Sequence, residues 1–207
     1  MHKSDRQKQT NKTSSVPAQD PIVTFQRWFA EAKVRCAEFR RMVLATVGQD
    51  GAPNARVVYL QYYPERGLHF FTNYESQKGQ ELTANAAVAG VLCWQELDRQ
   101  VRFRGTAVPC ASQTSDEYFE ARPDGCRFAA AWSQQSRPLA DLSALRERVK
   151  GALERGVVPP TRPAAWGGYV IEVQEWEFWQ KGPHRLHHRV AYSQQPTNTW
   201  LARTLSP

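Results

Sequence analysis

The chain has 207 residues, of which 41% are hydrophobic and 23% are charged. This composition is typical of a globular protein and excludes the disordered and fibrous classes, while the length allows one large domain or two small ones. The apolar runs are far shorter than the roughly 18 residues that a membrane-spanning helix requires, and residues 1–19 lack the apolar stretch of a secretory signal. We therefore expect a cytoplasmic protein with no membrane partner.

The net charge of +7 arises from 27 basic and 20 acidic residues. The first dozen residues contribute +3 of it, and the other basic residues are scattered in ones and twos along the chain. Scattered arginines suit a small anionic ligand better than a long polyanion, so we expect no nucleic-acid partner. The four cysteines, Cys36, Cys93, Cys110 and Cys126, form no C-x-x-C pair, which is typical of reduced thiols in a cytosolic protein.

Residues 1–19 are rich in Lys, Gln, Ser, Thr and Asn and are predicted to form a disordered leader, so the ordered domain is expected over 20–207. Asp20 before Pro21 is typical of a helix N-cap, and apolar residues at helical spacing extend that helix to about Arg35. Strands are then expected over 42–47, 55–63, 68–72, 88–94, 100–108, 168–173, 175–179, 189–192 and 199–205. Helices are expected from the Ser76 cap to about residue 87, and over 112–121, 128–136 and 142–155.

Turn signals at 48–51 and 64–67 join the first strands into an antiparallel meander. The expected strands and peripheral helices predict a single α+β domain built around an antiparallel β-barrel, in which closure removes the sheet edges. The sequence has no G-x-G-x-x-G after a strand, no P-loop and no G-x-S-x-G. Classical dinucleotide binding, P-loop nucleotide hydrolysis and α/β-hydrolase chemistry are therefore excluded as interpretations.

His184, His187 and His188 form a cluster without a thiolate at metal-ligand spacing. On a strand, His187 and His188 point to opposite faces, so we predict no metal site here. Arg185 and Arg189 flank the cluster, and two guanidiniums around an imidazole suit an anionic, planar, aromatic ligand. A solvated basic strand end is the alternative that the spacing alone leaves open.

Eight short segments follow one another in a recognisable order: 56–61 (R-V-V-Y-L-Q), 71–78 (F-T-N-Y-E-S-Q-K), 99–101 (R-Q-V), 118–123 (Y-F-E-A-R-P), 134–136 (Q-Q-S), 166–169 (W-G-G-Y), 177–180 (E-F-W-Q) and 185–189 (R-L-H-H-R). In this order they closely resemble the pyridoxamine/pyridoxine 5′-phosphate oxidase family, flavin enzymes of the split-barrel fold. The resemblance covers nearly all of the chain that is expected to be ordered.

The resemblance implies FMN bound non-covalently at a homodimer interface to which both subunits contribute. Carried over by position, the flavin contacts are Arg56, Phe71, Thr72, Gln77, Lys78, Gln100, Gln135, Ser136, Trp179 and Arg189. Cations and hydroxyls suit the FMN phosphate, and here these are Arg56, Lys78, Thr72 and Ser136. Amides and an aromatic wall suit the isoalloxazine ring, and here these are Gln100, Gln135 and Trp179.

The resemblance also implies a substrate site made of Gln61, Tyr118, Arg122, Cys126, Arg185 and His187, with Arg185 and His187 closest to the chemistry. Tyr118 and Arg122 are one helical turn apart, so they can meet one phosphate together. Arg185 and His187 are two residues apart on an extended segment and face the same side, where they could flank a pyridine ring.

The chain departs from the family pattern at several positions that matter for the substrate. Gln61 replaces a phosphate-binding lysine, Gln77 replaces an arginine, Cys126 replaces a serine, and His188 replaces an aspartate. The segment 38–42 (E-F-R-R-M) replaces E-P-N-A-M. Loss of the lysine and the serine removes about 2–4 kcal/mol of binding to a substrate phosphate.

The leading hypothesis is an FMN-dependent oxidase that converts pyridoxine or pyridoxamine 5′-phosphate to pyridoxal 5′-phosphate, with O₂ as acceptor and H₂O₂ as product. The runner-up resembles the phenazine-biosynthesis flavin oxidase, which acts on reduced tricyclic carboxylates. Gln61 and the Ser-Gln-Lys at 76–78 favour this runner-up, whereas Tyr118 and Arg122 favour vitamin B6 phosphates. A non-catalytic split-barrel protein that holds flavin or haem as a sensor or store is the alternative from a different class.

Overall fold

The computed structural model describes residues 20–64 and 66–207. The predicted leader over 1–19 lies outside the described residues, as does Glu65 of the expected 64–67 turn. The first element is α1, Pro21–Arg35, which begins where the sequence predicts. The Asp20 side chain caps it by accepting a 2.9 Å hydrogen bond from the Ile22 amide.

The described residues form nine strands and four further helices. The strands are β1 Arg41–Val47, β2 Pro53–Tyr59, β3 Gln61–Tyr63, β4 Gly67–Asn73, β5 Ala87–Trp94, β6 Arg99–Pro109, β7 Trp166–Gln180, β8 His188–Gln194 and β9 Trp200–Thr204. The helices are α2 Gln77–Ala84, α3 Ser112–Glu120, α4 Asp124–Trp132 and α5 Leu142–Glu154. In the part of the chain that the structure describes, no helix has the length and apolar character needed to cross a bilayer.

All strand pairs are antiparallel, in the order β2-β1-β5-β6-β7-β4-β3, and β8 and β9 extend the sheet beside β7. The sheet curls into a half-barrel with helices at its periphery, which confirms the predicted α+β split-barrel class. The expected closure is absent among the described residues. There β2 pairs only with β1 and β3 only with β4, so the hydrogen-bonded path ends in two edges.

The long strand β7 organises this sheet. Its first residues pair with β4, and its last six pair with β8, while β6 runs beside almost the whole strand. A bulge between Arg104 and Gly105 bends the β6–β7 ladder. A Cβ atom on Gly105 would lie 2.2 Å from the Glu172 carbonyl oxygen, so only glycine fits this close approach.

Three boundaries differ from the sequence predictions. The expected strand 55–63 is divided at Leu60, whose amide donates to the Arg40 carbonyl and so switches the chain from β1 to β4. The expected strands 168–173 and 175–179 are the single strand β7, in which the intervening Gln174 is the extra residue opposite the Arg104–Gly105 step of β6. The helix expected over 128–136 begins directly after Pro123 and ends at Trp132.

An aromatic core attaches α1 to the inner face of the sheet. Phe25 packs 5.1 Å from Trp176, and Trp28 packs 5.3 Å from Phe178, between ring centroids. The Arg99 guanidinium lies 4.6 Å above the Trp28 ring. These contacts fix the start of β6 and the end of β7, which carry several of the predicted flavin contacts.

Candidate active site

The first group of predicted site residues surrounds Lys78 in the first turn of α2. Its Nζ lies 3.2 Å from Thr72 Oγ1, at the end of β4, and 3.3 Å from Gln135 Oε1, in the segment after α4. Thr72 Oγ1 also donates to Gln135 Oε1 at 3.1 Å. Gln135, which the resemblance assigned to the flavin ring, therefore lies with residues expected at the phosphate.

The N-terminus of α2 opens beside this group. Ser76 Oγ caps the helix by accepting from the Gly79 amide at 3.3 Å, and it also lies 3.4 Å from Lys78 Nζ. A Cβ atom on Gly79 would lie 2.0 Å from the Tyr74 carbonyl oxygen, so glycine permits this tight helix start. Amide groups at a helix N-terminus favour an anion, which adds to the charge of Lys78.

Lys78 carries a charge that the described protein does not neutralise. Burial and the nearby positive charge of Arg56 lower the pKa of its ammonium group, and they outweigh the Glu81 carboxylate, which raises it. Among the described residues the lysine ion pairs belong to Lys150 and Lys181, so Lys78 has no carboxylate partner there. A partly buried cation surrounded by neutral oxygens is suited to an anionic ligand such as a phosphate.

Arg56, also predicted at the phosphate, is held by a buried network. Its Nη2 lies 2.8 Å from Glu81 Oε2, and its Nη1 donates to Thr46 Oγ1. Asn54 donates to the other Glu81 oxygen at 2.9 Å. Burial raises the pKa of the Glu81 carboxyl, but hydrogen bonds from Thr46, Asn54 and Arg56 and the charge of Arg56 outweigh burial and lower it. Glu81 is therefore a carboxylate that neutralises Arg56.

Sequence reasoning missed Glu81, Thr46 and Asn54. The available signal was the i, i+3 spacing of Lys78 and Glu81 on one helix, which brings the carboxylate to the face of α2 that covers β1 and β2. Without the fold, nothing in the sequence pairs Glu81 with Arg56 rather than with Lys78.

A stack of aromatic rings includes Phe71, the residue before Thr72 in β4. Phe71 and Tyr118 lie nearly parallel, with centroids 3.8 Å apart, and Trp166 continues the stack at 5.8 Å from Phe71. A Cβ atom on Gly168 would lie 2.6 Å from the Phe71 ring, so the glycine of the W-G-G-Y segment makes room for the stack. Phe71 and Tyr118 are half-buried, whereas Trp166 is buried.

Three predicted substrate residues meet at this stack. Gln61 Nε2 donates to Tyr118 Oη at 2.9 Å. The Arg122 guanidinium lies 4.7 Å above Trp166, and its buried Nη1 has no hydrogen-bond partner among the described residues. Leaving a buried donor unpaired is costly, so this atom fits an anionic ligand at the site. Cys126 lies exposed in the first turn of α4.

The second group lies on three neighbouring strands at the other end of β7. Gln100 of β6 is paired with Trp179 of β7, and Trp179 is paired with Arg189 of β8. Directly opposed residues of antiparallel strands share a face, so these three predicted flavin contacts form one row. The His187 ring adjoins this row, 4.7 Å from Trp179 between centroids.

The segment between β7 and β8 has an unusual backbone. His184 and Arg185 both have positive φ, at 53° and 64°. A Cβ atom on Gly182 would lie 2.0 Å from the Leu186 carbonyl oxygen, so the segment folds back closely on itself. Two successive non-glycine residues in the left-handed region store strain, and such strain is concentrated at functional sites. Arg185 is left exposed beside His187.

Arg189 is held in the same manner as Arg56. Its Nε donates to Glu177 Oε1 at 2.9 Å, and its Nη1 donates to the Ser206 carbonyl at 2.9 Å. Glu177 is buried, and its second oxygen lies 3.0 Å from Arg102 Nε. The row is therefore oriented by a carboxylate that the sequence analysis did not identify.

Ser136 and Gln77 have exposed positions in the structure. Ser136 lies beside Gln135 with a positive φ of 69°, and Gln77 begins α2 next to Lys78. Their side chains make no hydrogen bonds with the Lys78 group among the described residues. A role for either residue at the flavin stays a prediction.

The two groups lie at opposite ends of β7. Thr72 of the Lys78 group is paired with Gly167 at the beginning of the strand, whereas Trp179 is its penultimate residue. β7 has 15 residues, which at about 3.3 Å per residue correspond to nearly 50 Å of strand. Within the described residues no hydrogen bond or ion pair joins the two groups.

Comparison with known proteins identifies the family. The model of the pyridoxamine 5′-phosphate oxidase family matches residues 30–155, and the model of the pyridoxine 5′-phosphate oxidase C-terminal dimerisation region matches residues 166–207. The chain belongs to the pyridoxamine 5′-phosphate oxidase family. The predicted family resemblance is thereby confirmed, and Trp179 and Arg189 of the second group lie in the dimerisation region.

Curated relatives and solved structures agree with this membership. Pyridoxine/pyridoxamine 5′-phosphate oxidases of Cupriavidus pinatubonensis and Burkholderia multivorans are 44% and 43% identical to the chain, over 92% of it and 90% of their own length. PhzG from Burkholderia lata, solved with tetrahydrophenazine-1-carboxylic acid, superimposes with a TM-score of 0.86 and 35% identity, covering 93% of this chain and 95% of PhzG. An FMN-binding protein of Nostoc punctiforme shares the fold, with a TM-score of 0.75 and 16% identity over 88% of this chain and 97% of its own.

No group of three or more His, Cys, Asp or Glu side chains among residues 20–64 and 66–207 has the geometry to hold a metal ion. The predicted site residues are cations, amides, hydroxyls and aromatic rings. These groups suit an organic anion with a planar ring.

Replacement of Glu81 by glutamine tests the buried network. Glu81→Gln leaves the Arg56 charge uncompensated, so we expect a loss of about 2–4 kcal/mol in the free energy of unfolding at pH 7. Since the folded-state pKa of Glu81 lies below its usual value of 4.5, the carboxylate stabilises the protein above that pH and ceases to do so as the pH falls through the folded-state pKa. Urea unfolding at pH 7 and at pH 3–4 should therefore show a difference between wild type and variant that shrinks in acid.

The matched control is Glu154→Gln, which removes an exposed partner 3.9 Å from Lys150. We expect it to cost about 0.5 kcal/mol or less. Equal losses for the two variants would contradict the assignment of Glu81 as the buried counter-ion.

Proposed function

We propose that the protein is an FMN-dependent oxidase that converts pyridoxine or pyridoxamine 5′-phosphate to pyridoxal 5′-phosphate, with O₂ as electron acceptor and H₂O₂ as product. The observation that carries the proposal is the pair of complementary residue groups at the two ends of β7, one cationic and one aromatic. Membership of the family and the match to its dimerisation region support the same function.

The residues present fit FMN. Lys78, Thr72 and the N-terminus of α2 would hold the phosphate, since they offer an unneutralised cation, a hydroxyl and free amides. Gln100 and Trp179 would hold the isoalloxazine ring with an amide and an aromatic wall. FMN, when bound, supplies the acceptor for a hydride from the substrate and passes the electrons to O₂.

In this proposal, two copies of the chain complete each site. A single chain places its two groups at opposite ends of a strand of 15 residues. A homodimer through the C-terminal region would bring the Lys78 group of one protomer to the Trp179 row of its partner. Each dimer would then have two equivalent flavin sites.

The substrate would lie against the flavin with its phosphate towards Tyr118 and Arg122. Arg122 offers a buried unpaired donor, and Tyr118 offers its hydroxyl. Arg185 and His187 would orient the pyridine ring. Since His187 Nδ1 accepts the Gly182 amide at 3.3 Å, the neutral ring carries its proton on Nε2, which can donate to the substrate. Their role is to orient the substrate and place that proton, while the redox chemistry belongs to the cofactor.

A second candidate is a phenazine-type oxidase that aromatises a reduced tricyclic carboxylate. Two observations favour it: the neutral Gln61 at the position of a phosphate-binding lysine, and the similarity to PhzG with its tricyclic carboxylate. The half-buried rings of Phe71 and Tyr118 could face such a ring. The two candidates differ in the anionic group that the site must recognise.

Anaerobic reduction of the bound flavin separates the candidates. We expect pyridoxine 5′-phosphate to bleach the 450 nm band of the holo-protein, because hydride transfer does not require O₂, and we expect air to restore the band. Reduction by tetrahydrophenazine-1-carboxylic acid alone would replace the first candidate by the second. A flavin or haem protein that neither compound reduces would favour the non-catalytic alternative.

Lys78→Gln tests the phosphate site for FMN. The ammonium forms charge-assisted bonds that riboflavin cannot use, so we expect the dissociation constant for FMN to rise about ten- to a hundredfold while that for riboflavin is nearly unchanged. Flavin fluorescence quenching measures both constants, and Lys150→Gln, on the exposed face of α5, serves as control. Equal affinity of wild type for FMN and riboflavin would contradict the assignment.

Subunit complementation tests whether each site is shared. The assay uses an FMN concentration at which only sites that contain Lys78 bind the cofactor. Under this condition, the Lys78→Gln and Arg185→Ala proteins should each have little activity. In a mixed dimer of shared sites, one site carries both substitutions and the other carries neither, so random mixing should restore about a quarter of wild-type activity. If each site were formed within one chain, mixing would restore nothing.

A further inference from the structure

Arg40 lies directly beside the proposed substrate site, in the turn that leads into β1. Its carbonyl accepts a 2.8 Å hydrogen bond from the amide of Leu60, the fully buried residue that precedes Gln61. Its guanidinium lies 5.7 Å from the centroid of the Phe39 ring. This backbone hydrogen bond holds Arg40 next to Gln61. The contact between the two side chains therefore does not depend on their flexible conformations alone.

A relay of hydrogen bonds leads from Arg40 to the aromatic stack. Arg40 Nη1 donates to Gln61 Oε1 at 3.1 Å, and Gln61 Nε2 donates to Tyr118 Oη at 2.9 Å. Because the Tyr118 oxygen accepts this bond, its own proton is free to be donated to a ligand. A chain of hydrogen bonds that begins at a cation polarises each following donor, so Arg40 strengthens Tyr118 as a donor to an anion.

The charge of Arg40 is not neutralised by its surroundings. The nearest acidic residue in sequence, Glu38, lies 4.0 Å from Arg41 instead. Among the described residues no carboxylate is within ion-pair distance of Arg40. One guanidinium nitrogen bonds to Gln61, which leaves further donors of the planar fork for an oxyanion.

We propose that Arg40 is a specificity-determining residue of the substrate site, which supplies through the Gln61–Tyr118 relay and its free donors the positive charge for the substrate phosphate. The family pattern places a lysine at position 61, and this chain has the neutral Gln61 there and a cation at position 40. In this chain the positive charge thus lies in the turn before β1, whereas the family pattern has it on β3. Both positions are beside Tyr118. This inference rests on the proposed function for the identity of the substrate.

Ligand binding to the holo-protein gives a test that does not depend on turnover. We expect Arg40→Gln to raise the dissociation constant for pyridoxal 5′-phosphate about five- to tenfold, and to leave that for pyridoxal, which has no phosphate, unchanged. Arg40→Lys should keep most of the affinity. Arg41→Gln, which removes the neighbouring exposed cation, is the matched control and should bind as wild type does. Isothermal titration calorimetry measures all four proteins.

Rescue by relocation of the charge makes the test specific. In the Arg40→Gln background, Gln61→Lys should restore the affinity for pyridoxal 5′-phosphate. It should also lower the KM for pyridoxine 5′-phosphate, which we expect Arg40→Gln to raise. The kcat should stay nearly constant, because substrate and transition state share the phosphate contact. Loss of affinity for pyridoxal and pyridoxal 5′-phosphate alike would indicate a merely structural role and overturn the proposal. So would an Arg40→Gln protein that binds both as wild type does.

The outcomes also separate this inference from the proposed function. If wild type oxidises pyridoxine 5′-phosphate and Arg40→Gln does so with unchanged KM, the function stands and the role of Arg40 is overturned. If wild type fails to oxidise B6 phosphates but Arg40→Gln weakens binding of pyridoxal 5′-phosphate selectively, the role of Arg40 stands and the B6 assignment fails. A selective effect on tetrahydrophenazine-1-carboxylic acid, with none on the phosphate, would overturn the phosphate assignment.

Discussion

The continuous strand β7 is the constraint on which the rest of the structure depends. It has three neighbours, because β4 pairs with its first part, β8 pairs with its last part, and β6 accompanies it almost throughout. Its rigidity keeps the cationic group near Gly167 apart from the aromatic row at Trp179. In the proposed homodimer, a second chain would contribute one of the two groups to each ligand.

The cations of the site differ in whether a carboxylate of low exposure neutralises them. Arg56 and Arg189 are each held by a carboxylate of low exposure, Glu81 and Glu177. These arginines are thereby oriented, but much of their charge is compensated. Lys78, which has no carboxylate partner among the described residues, is left as a net positive centre for an anion. The arginines thus provide position and hydrogen-bond donors, whereas the lysine provides charge.

The substrate side of the site shows how a sequence departure can be offset by a neighbour. Gln61 alone indicates a weakened phosphate site, because an amide replaces an ammonium group. In the fold, Gln61 joins Arg40 to Tyr118 by two hydrogen bonds of 3.1 and 2.9 Å. The strained backbone at His184 and Arg185 positions the other residues predicted at the substrate, and Gly182 permits the close turn that this requires.

The sequence by itself determined the family, the antiparallel α+β fold and most element boundaries, because ordered motifs, caps such as Asp20 and alternating strand patterns are local signals. It also indicated residues such as Thr72, Lys78 and Tyr118, which the structure brings together in their groups. Only the tertiary structure decided that Glu81 pairs with Arg56, that Gln135 lies beside Lys78, and that the two groups occupy opposite ends of β7. These facts depend on contacts between residues far apart in sequence, which are set by strand register, burial and the bulge in the β6–β7 ladder rather than by local pattern.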